Sequence, residues 1–239
     1  MDFILIIAVG LAAGAVSGII GTGSSLMLMP VLVGVFGPLE AVPIMAVGAL
    51  LANVSRVAAW WREIDWRACG AYALTAVPAA ALGARTLLAL PPAVIDVTIG
   101  SFLIAAIPLR RYMAARNLRL GLWHLAGIGA VMGYATGIVV STGPVTAPVF
   151  LAYGLVKGAF IATPAAGSLA VVVSKTATFR LLGALPLETV AKGLLTGGAL
   201  MAGTFIAKPF VRAIDPGIFR TVMDGMLLLA GVAMFWNAA

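Results

Sequence analysis

Two clusters of glycine and hydroxyl residues carry the chemistry open to this chain. The first reads GIIGTGSSLMLMPVL, from Gly18 to Leu32, and the second GYATGIVVSTGPVTAPVFL, from Gly133 to Leu151. Each leads into an apolar segment of about 11–13 residues, roughly 16–20 Å long as a helix. A hydrocarbon core is about 30 Å thick, so neither segment reaches across it. The N-terminus of such a helix falls at membrane depth, where unpaired N–H groups and a partial positive charge suit an anion. Thr22, Gly23, Ser24 and Ser25 form one tip; Ser141, Thr142 and Gly143 form the other, with Thr146 a turn further on. Glycine permits close backbone approach, and hydroxyls donate to anionic oxygens. Taken singly, each cluster would serve close helix packing as well. Paired in corresponding halves, they point to a transporter with a central binding site.

Two cations reinforce that reading. Arg56 and Lys175 hold matching places in long apolar segments, each directly after a serine, Ser55 and Ser174. A cation within the membrane marks a functional site by default, and either could supply charge to an anionic substrate. The competing role is snorkelling to the interface, which Trp60 and Arg62 make realistic for Arg56. Asn53 and Ser168 are polar positions on the same segments and join the candidate substrate-binding set. Asp96 and Asp224 fall in the fifth and tenth segments. Either could carry a coupling proton, but capping a helix or pairing with a nearby Arg is the expected role. Glu40 suits the start of its helix.

The elements that must position these residues are membrane helices. The chain has 239 residues, 62% hydrophobic and 10% charged, with a mean hydropathy of +1.13. Soluble domains carry roughly 25% charged residues. The composition leaves no room for a soluble catalytic domain, and an enzyme is not expected. The net charge of +7 resides mostly in loops, where orientation in the bilayer accounts for it without a nucleic-acid partner. One cysteine, Cys69, and one histidine, His124, support neither a disulfide framework nor a metal cluster, and no cofactor is expected. The first stretch carries Asp2 in place of a basic n-region and reads as a retained helix.

Charged, Gly and Pro punctuation divides the chain into segments 3–20, 24–36, 40–61, 67–90 and 92–109, then 121–140, 144–153, 157–182, 187–211 and 216–236. The basic stretch RRYMAARNLR, from Arg110 to Arg119, separates the two sets. The expected fold is an all-α polytopic membrane protein of about ten segments. It divides into two five-helix repeats, residues 1–113 and 120–239, in which helices 2 and 7 are short and broken. Five crossings per repeat make the repeats inverted. With the N-terminus outside, the loops bearing Arg62 and Arg67, Arg110 to Arg119, and Lys208 and Arg212 all face the cytoplasm. The alternative has eight full spans and two re-entrant segments. Trp60, Trp61, Trp66 and Trp123 read as an aromatic belt at the cytoplasmic face.

The motifs GIIGTGSSLMLMPVL and GIVVSTGPVTAPVFL resemble the paired signature of the TauE/SafE family of sulfite and organosulfonate exporters, with Pro30 and Pro148 as the prolines that follow each Gly-rich turn. The first half here reads Gly-Thr-Gly-Ser-Ser where members often have a Gly-Gly pair. The resemblance implies secondary transport of a small sulfonate or sulfite-type anion, export, and a multi-pass place in the bacterial inner membrane. The partners expected are that anion and the lipid bilayer, and a homodimer is allowed. Two other classes fit the composition: a membrane scaffold subunit that moves nothing, and an anion channel sharing the same site.

Overall fold

The computed structural model describes residues 2–20, 24–116, 118–139, 142–207, 224–225, 227–229 and 231–236. Among them every regular element is helical. The order is α1 (Asp2–Ile20), α2 (Ser24–Phe36), α3 (Pro38–Trp60), a 3-10 turn at Trp61–Glu63, α4 (Trp66–Ala89), α5 (Pro92–Ala115), α6 (Leu122–Ile138), α7 (Gly143–Tyr153), α8 (Lys157–Leu181) and α9 (Leu187–Ala207). Residues 224–225, 227–229 and 231–236 are helical and belong to a last helix, α10. Among the described residues four helices are long and apolar enough to cross a membrane: Pro38–Ala58, Trp66–Ala89, Pro92–Met113 and Gly158–Leu181. The protein is a multi-pass membrane protein.

Local chemistry sets the boundaries. Asp65 caps α4, its carboxylate accepting from the N–H groups of Arg67 (2.9 Å) and Ala68 (3.0 Å). Pro38 and Pro92 start α3 and α5, where a missing N–H costs nothing. Gly154, at φ 105°, ends α7 in the left-handed conformation, and its N–H and that of Leu155 close on the carbonyls of Leu151 and Phe150. The α5 helix runs six residues past the expected 109. This extension keeps Arg110 and Arg111 helical, and both pair with Asp224 of α10. Trp60, Trp61, Trp66 and Trp123 are all exposed where α3 ends and α4 and α6 begin.

Small residues bring the helices together and reveal their directions. Gly129, Gly133 and Gly137 of α6 lie against Tyr72, Ala76 and Ala80 of α4, so residue numbers rise together and the two helices run the same way. Gly10 and Gly14 of α1 meet Ala199 and Leu200 of α9, with Gly203 against Leu11 and Ala15, again a parallel pair. On α3, Ile44 and Val47 face Gly193, and Gly48 and Leu51 face Gly197, so α3 also runs parallel to α9. The α8 helix runs with α4: Gly167 meets Tyr72, and the Ser174 hydroxyl donates to the Val77 carbonyl at 2.9 Å. The α5 and α10 helices run oppositely, with Gly100 against Gly231 and Met234 and Arg110 against Asp224.

The largest apolar core draws on α1, α2, α3, α4, α5, the end of α6, α8, α9 and α10, and includes the fully buried Leu28, Leu32, Ile44, Met45, Leu87 and Ile99. A second cluster joins α4, α6, α7 and α8 around Tyr72, Leu125, Val149 and Phe150.

Candidate functional site: the break between helices 6 and 7

The α6 helix stops early. Gly137, one residue from its end, packs on Ala80, Gly83 and Ala84 of α4, and α4 continues five residues further to Ala89. At about 1.5 Å per residue, α6 ends roughly 8 Å short of its neighbour. The next helix, the 11-residue α7, begins at Gly143. The break expected from sequence therefore lies within the helical bundle.

Lys175 occupies this break. It projects from α8, is 2% exposed, and its Nζ donates to the Thr136 carbonyl at 2.7 Å and the Val139 carbonyl at 3.1 Å. These are carbonyls of the last turn of α6, whose partial negative charge attracts a cation. The Phe179 ring lies 5.5 Å from the ammonium. Ser174 anchors α8 to α4 beside it. Among the described residues no carboxylate pairs with Lys175; the ion pairs are those of Asp224 with Arg110 and Arg111, and of Lys192 with Glu40 and Glu188.

Hydroxyls line the same break. Thr142 caps α7; its carbonyl accepts from Val145 (3.0 Å) and Thr146 (2.9 Å), and its hydroxyl sits 2.8 Å from that of Thr136. The Thr136 hydroxyl also donates to Met132 at 2.6 Å, so in this pair Thr142 donates to Thr136. The Thr146 hydroxyl turns back to the Thr142 carbonyl at 3.2 Å. Tyr72, buried on α4, brings its hydroxyl to Thr142 and its ring to Phe150, 5.4 Å between centroids. Pro144 contributes no N–H, and Val145 and Thr146 close on Thr142. The polar character of this tip therefore comes mainly from hydroxyls and the ammonium, less from backbone amides.

The break thus gathers Thr142, Gly143, Thr146 and Lys175 from the sequence-derived set; Ser141 lies outside the described residues. Ser168 is half-buried on α8, seven residues before Lys175 and on the same helix face. In the first half, Ser24 opens α2 and Ser25 is buried behind it, while Thr22 and Gly23 lie outside the described residues. Asn53 is buried on α3; its amide donates to Ala49 at 2.9 Å and its oxygen accepts from Arg56 at 2.9 Å. Arg56 also donates from Nε to Ala52 at 3.2 Å. Asp224 takes the bland role, paired with two arginines, and Glu40 sits in the first turn of α3 beside Lys192 at 2.8 Å. Sequence reasoning missed Tyr72 and Thr136. Thr136 lies inside the quoted motif, whereas nothing in the sequence around Tyr72 sets it apart.

Discontinuous helices at a polar site within a multi-pass bundle recur in membrane transporters. The chain belongs to the family described as Sulfite exporter TauE/SafE, whose model matches residues 6–234. This is a family of membrane transporters of sulfite and sulfonate-type anions, not of enzymes. Searches of the curated proteins and of the solved structures returned no match.

Proposed function

We propose that the chain exports a sulfite- or sulfonate-type anion across the bacterial inner membrane by alternating access, with the anion held at the breaks between helices 1 and 2 and between helices 6 and 7. The observation that carries this reading is Lys175: a fully buried ammonium that, among the described residues, meets only carbonyl oxygens and an aromatic ring. A buried charge without a counter-charge is costly, and an incoming anion supplies one. Thr142, Thr146, Thr136 and Tyr72 carry hydroxyls that would turn from their present partners to donate to its oxygens, and Arg56 with Asn53, Ser24 and Ser25 serve the other break. The membrane potential favours exit of an anion by about 2.3 kcal/mol per charge per 100 mV.

Two features support ten segments in two inverted repeats. Both α1 and α3 run parallel to α9, so the chain reverses between them and α2 makes a crossing; α6 and α8 both run parallel to α4, which asks the same of α7. Re-entrant hairpins in place of α2 and α7 would make those pairs antiparallel. The packing also repeats. Gly10, Gly14, Gly48, Ser55 and Arg56 recur 119 residues on as Gly129, Gly133, Gly167, Ser174 and Lys175. Gly48 touches Thr196 where Gly167 touches Tyr72. Both breaks come from one chain, so the reading needs no second copy.

Flux of radiolabelled sulfite and of a small sulfonate into proteoliposomes of the purified protein tests the proposal. Saturable uptake that exchanges with internal anion is expected, and Lys175→Ala should abolish it with expression intact. Wild-type liposomes no more permeable than protein-free ones would support a scaffold instead, and flux that does not saturate would support a channel.

A further inference from the structure

Asp96 is the fifth residue of α5, on the face that packs into the bundle. It is 4% exposed, and its Oδ1 is buried with no hydrogen-bond partner. Ile95, Ile99 and Leu103 flank it along the helix, and all three belong to the largest apolar core. Among the described residues, the charged groups of α3 and α10 that pack on α5 are engaged elsewhere, and Arg85, near the end of α4, is exposed. On α3, Glu40 binds Lys192, and Arg56 binds Asn53 and the Ala52 carbonyl. On α7 the titratable group is Tyr153, at the helix end. On α10, Asp224 holds Arg110 and Arg111, some 14 residues along α5 from Asp96, or about 21 Å. Among the described residues no ion pair includes Asp96.

An ionised carboxylate with a bare, buried oxygen and no counter-charge is far costlier than the neutral acid. Evolution has a cheaper option at a purely structural position, namely an apolar residue. We infer that Asp96 is a proton-binding site of the carrier, holding a proton in this conformation and exchanging it during transport. Asp96 lies about 6 Å from the start of α5, near the end of α4 and at the opposite end of α5 from Arg110 and Arg111. By the distribution of basic residues this is the outer side, so protons reach the site from outside. A proton moving inward as the anion leaves adds the proton gradient to the membrane potential as a driving force. This coupling rests on the transport reading above; the protonation of Asp96 does not.

Two measurements test it. Infrared spectra of the purified protein near neutral pH should show the C=O stretch of a protonated carboxylic acid that disappears in Asp96→Asn. In proteoliposomes with the potential clamped by potassium and valinomycin, radiolabelled methanesulfonate (whose own acid group stays ionised) should move together with a proton signal from an internal pH dye. Asp96→Asn should retain exchange of label at equal concentrations while its proton signal falls to that of protein-free liposomes. A C=O band absent from the wild type, or unchanged in Asp96→Asn, overturns the inference. So does a variant that carries protons with the label at the wild-type rate. If the wild type moves neither methanesulfonate nor sulfite, the transport reading fails, and the infrared band still decides whether Asp96 holds a proton.

Discussion

At the scale of single residues, Lys175 has a structural contact and a proposed role. It meets the end of α6 through the Thr136 and Val139 carbonyls, and in the proposed function it offers charge to an anion. Lys175→Met keeps the length and apolar stem but strips a donor from two buried carbonyls, at about 1–3 kcal/mol. Thermal unfolding in detergent should fall accordingly, and added sulfite, which should stabilise the wild type, should no longer raise the midpoint. A midpoint that still rises with sulfite removes Lys175 from the binding site. Thr142→Val keeps the shape and removes the hydroxyl that faces both Thr136 and Tyr72. A loss of about tenfold in anion affinity, near 1.4 kcal/mol, is expected in the same titration. Lys175 was legible in the sequence as a cation within an apolar segment. Its partners were not, because every residue carries a carbonyl and nothing in a sequence marks which ones lose their helical bond.

At the scale of elements, the helices meet through small side chains in a bilayer that supplies no hydrophobic drive between them. Gly133 lies so close to Ala76 that an added Cβ would stand 2.5 Å from its Cα. Gly127, six residues earlier on the same helix, has nothing within 4 Å. Gly133→Val should therefore force α4 and α6 apart and yield aggregated protein on fluorescence-detected size exclusion, whereas Gly127→Ala should elute as the wild type does. Aggregation of both would mean that glycine on α6 is required for something other than packing on α4. The triplet Gly10, Gly14 and Gly18 and its counterpart Gly129, Gly133 and Gly137 are visible in the sequence. The partners of Gly10 and Gly14 on α9, and of Gly129, Gly133 and Gly137 on α4, are not, since residues about 190 and 60 apart in the chain meet only after the bundle has assembled.

At the scale of the whole molecule, the topology itself is testable. Ten segments place Leu118, between α5 and α6, and Pro186, between α8 and α9, on opposite sides of the membrane; eight spans with two re-entrant segments place them on the same side. In a Cys69→Ala background, Leu118→Cys should react with an impermeant maleimide only after the cells are opened, and Pro186→Cys in intact cells. Equal labelling of both in intact cells would rule out the inverted repeat. Helix directions favour ten segments, because α1 and α3 each run beside α9 in the same sense.

Composition and hydropathy alone determine that this chain lives in a membrane as a bundle of helices, because apolar runs of this length leave the backbone no other way to satisfy itself in lipid. The two short segments and the glycine and hydroxyl clusters before them are equally a property of the sequence, since length and residue type fix where a helix can start. Tertiary structure alone decided which polar groups meet. It set Asp224 between two arginines and left Asp96 with a bare oxygen, though both are single aspartates in apolar helices. It also drew Tyr72 from α4 to the break before α7. Such contacts depend on the rotation and depth of one helix against another, which close packing fixes and no local pattern encodes.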